Sequence, residues 1–433
     1  TTAEIECKLV ATPEERETLG DEYVRPLYKE KILNETDPVI KENLVPVTIA
    51  DNGTVKYADI YNEWYNYENK KWANAVILNE GVTYNVGDTI QESDIESYFV
   101  WIPRYKYQIF DEGNYTTYIE SKPTESIAKE IQIEFESKDE TPSTGSKQGE
   151  WLTHPAFTNF DVNGIWVGKY ETGYKGATTK EEAQVNSIAS SKVIIKPNVY
   201  SWRNSTVSNM FKTAYNYNRE LDSHMMKNTE WGAVAYLSHS KYGINTEVRI
   251  NNNSSFLTGY AASDRADQNS YPGVTGTTSD VTLPYNTPTG YKASTTGNIT
   301  GIYDMSGGAW EIVASYMSSS SDASGFNASE FTTYSKYLDI YPSNSTITSY
   351  NNRILGDATA EMGPFYNYMD IDNNKRYYNS WYGDNSDFID KVYPWFARGG
   401  GYSNDILAGQ FYFSRSEGRA SIYDGFRLTL TIK

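Results

Sequence analysis

Three histidines and a single cysteine bound the chemistry open to this 433-residue chain. Cys7 has no partner in the sequence, which excludes an intrachain disulfide and any multi-cysteine zinc site and leaves the redox compartment unread. His224 and His239 stand fifteen residues apart, one before and one near the end of an expected helix, and His154 is more distant. None shares the short spacing of paired metal ligands, so structural or surface roles are expected. The pairs Asp370, Asp372 and Asp384, Asp387 sit in loops and offer oxygen ligands for calcium, but acidic loops of this kind are usually solvated. No Ser-His-Asp order or paired-carboxylate motif stands out. The expectation is a protein without catalysis and without a resident cofactor, calcium being left open and unplaced.

The elements that must carry any site are read from pattern. Residues 1 to about 45 read as charged and helix-compatible, with a helix start at Thr12, Pro13, Glu14 and Glu15. Short β-type runs at 46–49 and 55–57 flank Asp51-Asn52-Gly53, whose Asn-Gly pair suits the positive φ angles of a tight hairpin. With the Trp64–Trp72 segment and the apolar run 75–78, this makes a small β-rich module. A new unit starts near Tyr98 with a β-favouring run to Tyr105, and 121–150 reads as an exposed polar insertion. Gly164–Glu171 has the pattern of a buried strand. Two helices come next: one whose apolar face is Val207, Met210, Phe211, Ala214 and Leu221 after the caps Ser205 and Thr206, and one from Asn228 to a stop at Gly243.

The last forty residues carry the strongest pattern. Phe411, Phe413 and Arg415 alternate with Gln410, Tyr412, Ser414 and Ser416, which places the two sets on opposite strand faces, the second facing away from the core. Phe426, Leu428, Leu430 and Ile432 alternate likewise and predict a core-anchored strand. Between these runs lie Gly401-Tyr402-Ser403-Asn404-Asp405 and Ser421-Ile422-Tyr423-Asp424. Such Tyr, Ser, Asn and Gly clusters have the character of binding loops, where Tyr gives large contact area at low entropic cost.

Gly301-Ile302-Tyr303-Asp304-Met305-Ser306-Gly307-Gly308-Ala309-Trp310-Glu311, with Arg398-Gly399-Gly400 and Gly425-Phe426-Arg427, resembles the formylglycine-generating enzyme (sulfatase-modifying factor) family, a branch of the C-type lectin fold. The resemblance covers about residues 98–433. It is closer still to the variable proteins of diversity-generating retroelements, whose C-terminal region keeps a fixed scaffold. Here that scaffold would be Arg398-Gly399-Gly400, Ala408-Gly409, Phe411, Phe413, Arg415, Gly418, Ala420 and Gly425-Phe426-Arg427, within a variable region of about 398–427. The resemblance implies ligand contact through Gly401, Tyr402, Ser403, Asn404, Asp405, Ile406, Gln410, Tyr412, Ser414, Ser416, Glu417, Arg419, Ser421, Ile422, Tyr423 and Asp424. Most of these residue types arise from Asn codons by change of adenine; Gln410 and Glu417 need a different template codon. Tyr402, Tyr412 and Tyr423 are the expected anchors. Trp310 and Glu311 are expected in the core and in local hydrogen bonding, and Arg398 and Arg427 in scaffold roles.

The resemblance thus implies an α+β, C-type lectin-like domain over 98–433 preceded by an acidic region, 1–97, of a helical segment and a small β-rich module. It implies a non-catalytic receptor or adhesin at the cell surface or outside the cell, recognising a protein or glycan on another cell or virus. The rival readings are a pilin-like or phage-tail display protein and, less favoured, an oxidase. The family's catalytic members oxidise a cysteine with a pair of copper-holding cysteines, and Cys7 alone, outside the matching region, does not supply that pair. Thr1 in place of Met points to a mature or truncated form, so membrane attachment is expected only through a segment missing from the N-terminus.

Composition agrees with these exclusions. The chain carries a net charge of −18, of which residues 1–150, with 30 Asp and Glu against 15 Lys and Arg, hold −15. An acidic chain repels phosphates, which argues against nucleic acid as partner. Between 398 and 427, four Arg face two Asp and one Glu, so net charge says little about what that segment binds. No apolar run reaches the roughly 20 residues of a membrane span.

Overall fold

The computed structural model describes residues 34–109, 128–146, 149–263, 281–318, 323–343, 354–359, 361, 366–370 and 375–433. The expected helix after Thr12, Cys7, the first part of the polar insertion and Asp372 lie outside these residues, as do the side chains of Asp370 and Ile406.

The architecture is mixed, with few helices and many antiparallel strands. Its main strands are β1 (Val45–Ile49), β2 (Val55–Tyr57), β3 (Asn74–Leu78), β4 (Thr89–Ile90), β5 (Ile95–Pro103) and β6 (Gly164–Gly168). Helix α1 (Val207–Tyr215), β7 (Ser223–Met225) and helix α2 (Asn228–Ser238) come next. The last third adds β8 (Trp310–Ile312), β9 (Trp395–Gly399), β10 (Gly409–Ser416), β11 (Asp424–Phe426) and β12 (Leu428–Leu430).

One eight-stranded sheet runs β7-β12-β6-β5-β3-β1-β2-β4, with every pairing antiparallel. The β1–β2 hairpin closes with Ile49 opposite Val55, and the Gly53 N–H donates to the Ala50 carbonyl at 2.8 Å. Gly53 alone in that turn takes a positive φ, +90°, so the expected Asn52 contribution is not used; a single left-handed glycine suffices for this longer loop.

The boundary expected at 97/98 falls inside β5. Ala75 of β3 pairs with Phe99, and Trp72, Val76, Phe99, Trp166 and Leu430 belong to one buried apolar cluster. The Trp72 indole also donates to the Tyr242 carbonyl at 2.9 Å. Residues 45–97 therefore extend the same sheet and core instead of forming a module of their own. The β-favouring run at Tyr98 that marked a new unit is the middle of a strand, and a local β pattern carries no information about where a core ends.

Helix α1 is capped by Thr206, whose side chain accepts from the Asn209 N–H at 3.4 Å. Leu221, expected on its face, lies past its end in the turn before β7, buried all the same. Helix α2 starts at Asn228 as its pattern predicts and ends five residues before Gly243. All eleven of its residues are buried, so it runs through the interior. Strand β12 sits between β6 and β7. Phe426, Leu428, Leu430 and Ile432 are buried as expected, and so are Arg427, Thr429 and Thr431: the strand is covered on both faces. Each of its apolar side chains contributes about 1.5–3 kcal/mol by burial. Among the described residues no helix is long and apolar enough to cross a membrane.

Candidate binding surface

The second sheet, ordered β10-β9-β8-β11, carries the C-terminal candidates. Two buried arginines fix it. The Arg427 guanidinium donates to Glu311 Oε1 at 2.5 Å and Oε2 at 2.9 Å, and to the carbonyls of Gly168 and Tyr303 at 2.7 and 3.0 Å. That ties β8 and β12 to β6. Burial opposes its charge, but Glu311 outweighs it and holds the guanidinium above its usual range. Arg398, at the end of β9, has no such carboxylate. It donates to Asn228 Oδ1 at 3.2 Å and to the carbonyls of Asp357 and Ala358 at 3.2 and 3.0 Å, and burial pulls it down to about 10. Both arginines have the local hydrogen-bonding role expected of them.

Beyond Arg398, Gly399 and Gly400 take φ of +79° and +74°. A Cβ on Gly400 would stand 2.9 Å from Ala408 and 3.3 Å from the Tyr412 ring, so the chain turns here only with glycine. The turn delivers Gly401 and Asn404 beneath Trp310. Asn404 Oδ1 accepts from the Trp310 indole at 2.7 Å and from the Gly401 N–H at 2.6 Å.

Trp310 is the organising side chain, and it is half-buried rather than in the core as expected. Its ring lies 6.0 Å from that of Tyr423, its backbone N–H donates to the Tyr423 carbonyl at 2.9 Å, and the parallel register of β8 and β11 sets it opposite Asp424. On the other side, Tyr402 packs edge-on against Phe256 at 4.9 Å. The Arg203 guanidinium covers Phe256 at 3.7 Å and donates to the Ile422 and Lys180 carbonyls. Half-buried Trp310, and beneath the surface the buried Arg203 and Phe256, are the supporting residues that sequence reasoning missed. Trp310 sat inside the quoted motif and carried a signal; Arg203 and Phe256 carried none, being brought in by tertiary packing.

The structure therefore brings together Gly401, Tyr402, Asn404, Tyr412, Ser421, Ile422, Tyr423 and Asp424. Ile422 and Tyr423 are exposed, at 44% and 47%. Ser403 is exposed, and Asp405, Ser414, Ser416, Glu417 and Ser421 are intermediate. Arg419 is exposed and paired with Glu417 at 2.5 Å. Ser416, Glu417 and Arg419 lie toward the far end of β10, where the Gly418 carbonyl accepts from the Val207 N–H at the start of α1.

Three expected contact residues do not face solvent. Gln410 is fully buried, Tyr412 is 5% exposed and Asp424 6% exposed. Asp424 lies on β11, opposite Trp310, while Gln410 and Tyr412 lie on β10, at the other edge of the sheet, and that edge is covered. Phe413 exchanges backbone hydrogen bonds with Asn385 and Asp387, Asp384 Oδ2 accepts from the Phe411 N–H at 3.0 Å, and the Gln410 carbonyl accepts from the Trp231 indole at 2.8 Å. The expected alternation does not appear in the burial of β10: Gly409 to Phe413 are all buried and Ser414 to Ser416 all partly exposed. Conversely Arg415, expected to face the core, is partly exposed and pairs with Asp387 at 2.9 Å and with Asp390.

The electrostatics are those of buried acids. Burial pushes Asp424 up to about 7, with a hydrogen bond from Ser421 acting the other way. Burial likewise pushes the Tyr412 phenol up to about 12, opposed by its hydrogen bond with Ser414 and helped by the charges of Asp387 and Asp424. Beneath the sheet, Glu171 accepts from Ser201 at 2.5 Å and from the Ala309 N–H at 2.9 Å. Burial, with Asp304 and Glu311 close by, holds its carboxyl well above the usual range. Glu171 thereby anchors the backbone that leads into Trp310.

The histidines are buried structural groups. His154 caps a short turn of helix, accepting from the Ala156 N–H at 3.2 Å; His224 meets Glu230 at 2.9 Å and the Asp222 carbonyl at 2.9 Å; His239 meets the Tyr382 hydroxyl at 2.5 Å. Burial lowers His154 to about 3 and His239 to about 4. Asp384 and Asp387 are engaged by β10 and Arg415. Among the described residues no group of three or more His, Cys, Asp or Glu side chains is placed to hold a metal ion. No protein-family model matches the chain, and no curated protein matches it either.

Proposed function

We propose that this protein is a non-catalytic ligand-binding protein: a surface receptor or adhesin of the retroelement-diversified kind, on a C-type lectin-like frame of the formylglycine-generating-enzyme type. Its ligand would be a protein or glycan of another cell or virus, met at the cell surface or outside it. The observation that supports this reading is the partition within 398–427. Of the scaffold residues, Arg398, Gly400, Gly409, Phe411, Phe413, Gly418, Phe426 and Arg427 are buried and Arg415 and Ala420 partly exposed, whereas of the variable positions Tyr402, Ser403, Ser414, Arg419, Ile422 and Tyr423 reach solvent and Gln410, Tyr412 and Asp424 do not. Substitution at those that reach solvent changes contacts and leaves packing alone. Ile422, Tyr423, Tyr402 and Trp310 take over the anchoring role that the buried Tyr412 does not fill.

A displayed library randomised at Tyr402, Ser403, Ser414, Arg419, Ser421, Ile422 and Tyr423 tests this. Most clones should resist protease as the parent does, and selection on an unrelated protein such as lysozyme should yield binders. A library that is mostly unfolded, or folded but barren, overturns the reading. In the DNA, the same reading expects a near-copy of the last hundred or so bases that differs at adenines and lies beside a reverse transcriptase.

A further inference from the structure

The two arginines that fix the second sheet depend on different parts of the chain. Arg427 is met by Glu311 of β8, inside the sheet it holds. Arg398 reaches outside its sheet: its guanidinium donates to the carbonyls of Asp357 and Ala358, 41 and 40 residues upstream, and to Asn228 Oδ1. A buried guanidinium is stable only while its acceptors stay in place. The start of the 399–404 turn is therefore conditional on that upstream segment.

The segment is tightly seated. Residues 356–359 are buried, and Glu361 with them. Asp357 accepts from the Tyr341 hydroxyl at 2.6 Å, from Asn228 Nδ2 at 3.4 Å and from the Thr359 N–H at 2.9 Å. Glu361 accepts from the hydroxyls of Tyr107 and Tyr236 at 2.9 and 2.6 Å and from the Gly356 N–H at 2.6 Å. The backbone of the segment lies directly on helix α2, where a Cβ on Gly232 would stand 1.8 Å from the Gly356 carbonyl oxygen. Ala358 takes a φ of +53°, a strained conformation for a residue with a Cβ, which persists only where its surroundings impose it. Strain favours release of the segment, and the hydrogen bonds of the two carboxylates oppose it.

We propose that residues 356–359, clasped by Asp357 and Glu361, act as a latch that positions the 399–404 end of the binding surface through Arg398. This rests on the proposed binding function and divides it. A ligand held by Tyr402 and Ser403 needs the latch seated, whereas one held by Ile422 and Tyr423 leans on Arg427 instead. Asp357 and Glu361 are positioning residues, both buried and both acting through Arg398.

Hydrogen exchange of the whole chain tests this. In the unmodified protein under dilute urea, the amides of 356–359 should open together with those of Gly401, Tyr402 and Asn404, with one urea dependence, and those of Tyr423 and Asp424 should open separately. Glu361→Ala should speed exchange about tenfold at latch and turn alike and leave 423–424 and strand β6 within about twofold, with Glu361→Gln closer to the parent. Gly232→Ala, which presses on the latch from the helix, should reproduce the Glu361→Ala pattern. Among binders selected from the library, those that Tyr402→Ala disables should lose about tenfold in affinity on Glu361→Ala, and those that Tyr423→Ala disables should keep theirs. Independent opening of latch and turn in the unmodified protein overturns the latch, whether or not the substituted chains fold. So does a turn that exchanges as in the parent while 356–359 is released, or exchange raised equally in every strand. A barren library removes the binding surface itself and leaves the exchange result standing.

Discussion

Arg427 and Tyr423 lie four residues apart on one short stretch of chain, and their surroundings differ as much as any two in the molecule. Around Arg427 four hydrogen bonds run to carboxylate and carbonyl oxygens, and the side chain is buried. Around Tyr423 there is one ring neighbour and open solvent. Interiors are close-packed, so a buried position answers any change with strain or an unpaired charge, while an exposed one absorbs it. The contrast teaches that a surface tolerant of substitution is made by what lies behind it: the Arg427–Glu311 pair, the Glu171 bond to Ala309 and the glycine turn at 399–400 hold the backbone, so the exposed side chains need not.

The contrast breaks hardest at Arg427. Arg427→Met strands Glu311 as a buried carboxylate beside Asp304 and Glu171, and should cost about 3–5 kcal/mol in urea unfolding; stability equal to the parent would show that the pair does not hold the sheet. Next comes Asp424→Asn, whose effect depends on pH. The folded carboxyl titrates near 7, well above the usual aspartate range, so the folded state holds the proton more tightly and the acid's ionisation erodes stability as pH rises from about 4 through about 7. The asparagine variant escapes that loss. It should be more stable than the parent at pH 8 by about 1–4 kcal/mol and indistinguishable near pH 4; a gap that widens at low pH would reverse the assignment. Gly400→Ala, strained at φ +74° and pressed on Ala408, should cost about 1–3 kcal/mol. Smallest in stability is Tyr423→Ala combined with Ile422→Ala, each within about 0.5 kcal/mol by melting, yet weakening any selected ligand at least tenfold by surface plasmon resonance. Unchanged binding would move the contact away from these anchors.

Local pattern predicted what local physics decides. Helix α2 begins at Asn228 as its pattern requires, Thr206 caps α1, and the apolar residues of β12 face the core. Tertiary cover was not legible. The alternation expected at 410–416 does not appear in burial, and nothing local announced that residues 384–387 would run along the edge of β10. The same limit hid the reach of the sheet. Only pairing of β3 with β5 shows that 45–97 shares a core with the strands from β5 to β12, because a β-favouring run does not say which strands it will join. Arg203 and Phe256, over 140 residues upstream of Ile422 in the sequence, arrive beneath the surface by packing that no spacing rule records.

Strand β12 lies buried between β6 and β7. On the ribosome that place stays empty until 428–430 have been made, after every residue of the 401–424 surface. Until then β6 and β7 have no strand to join them, and two apolar faces wait uncovered. A stop codon or shifted reading frame within 401–424 never delivers β12, and the product is left to chaperones and proteases. A substitution at Tyr402 or Tyr423 delivers it unchanged. Folding itself thus separates two kinds of change in this segment: loss of the frame removes the strand that joins β6 to β7, and substitution of an exposed side chain keeps it.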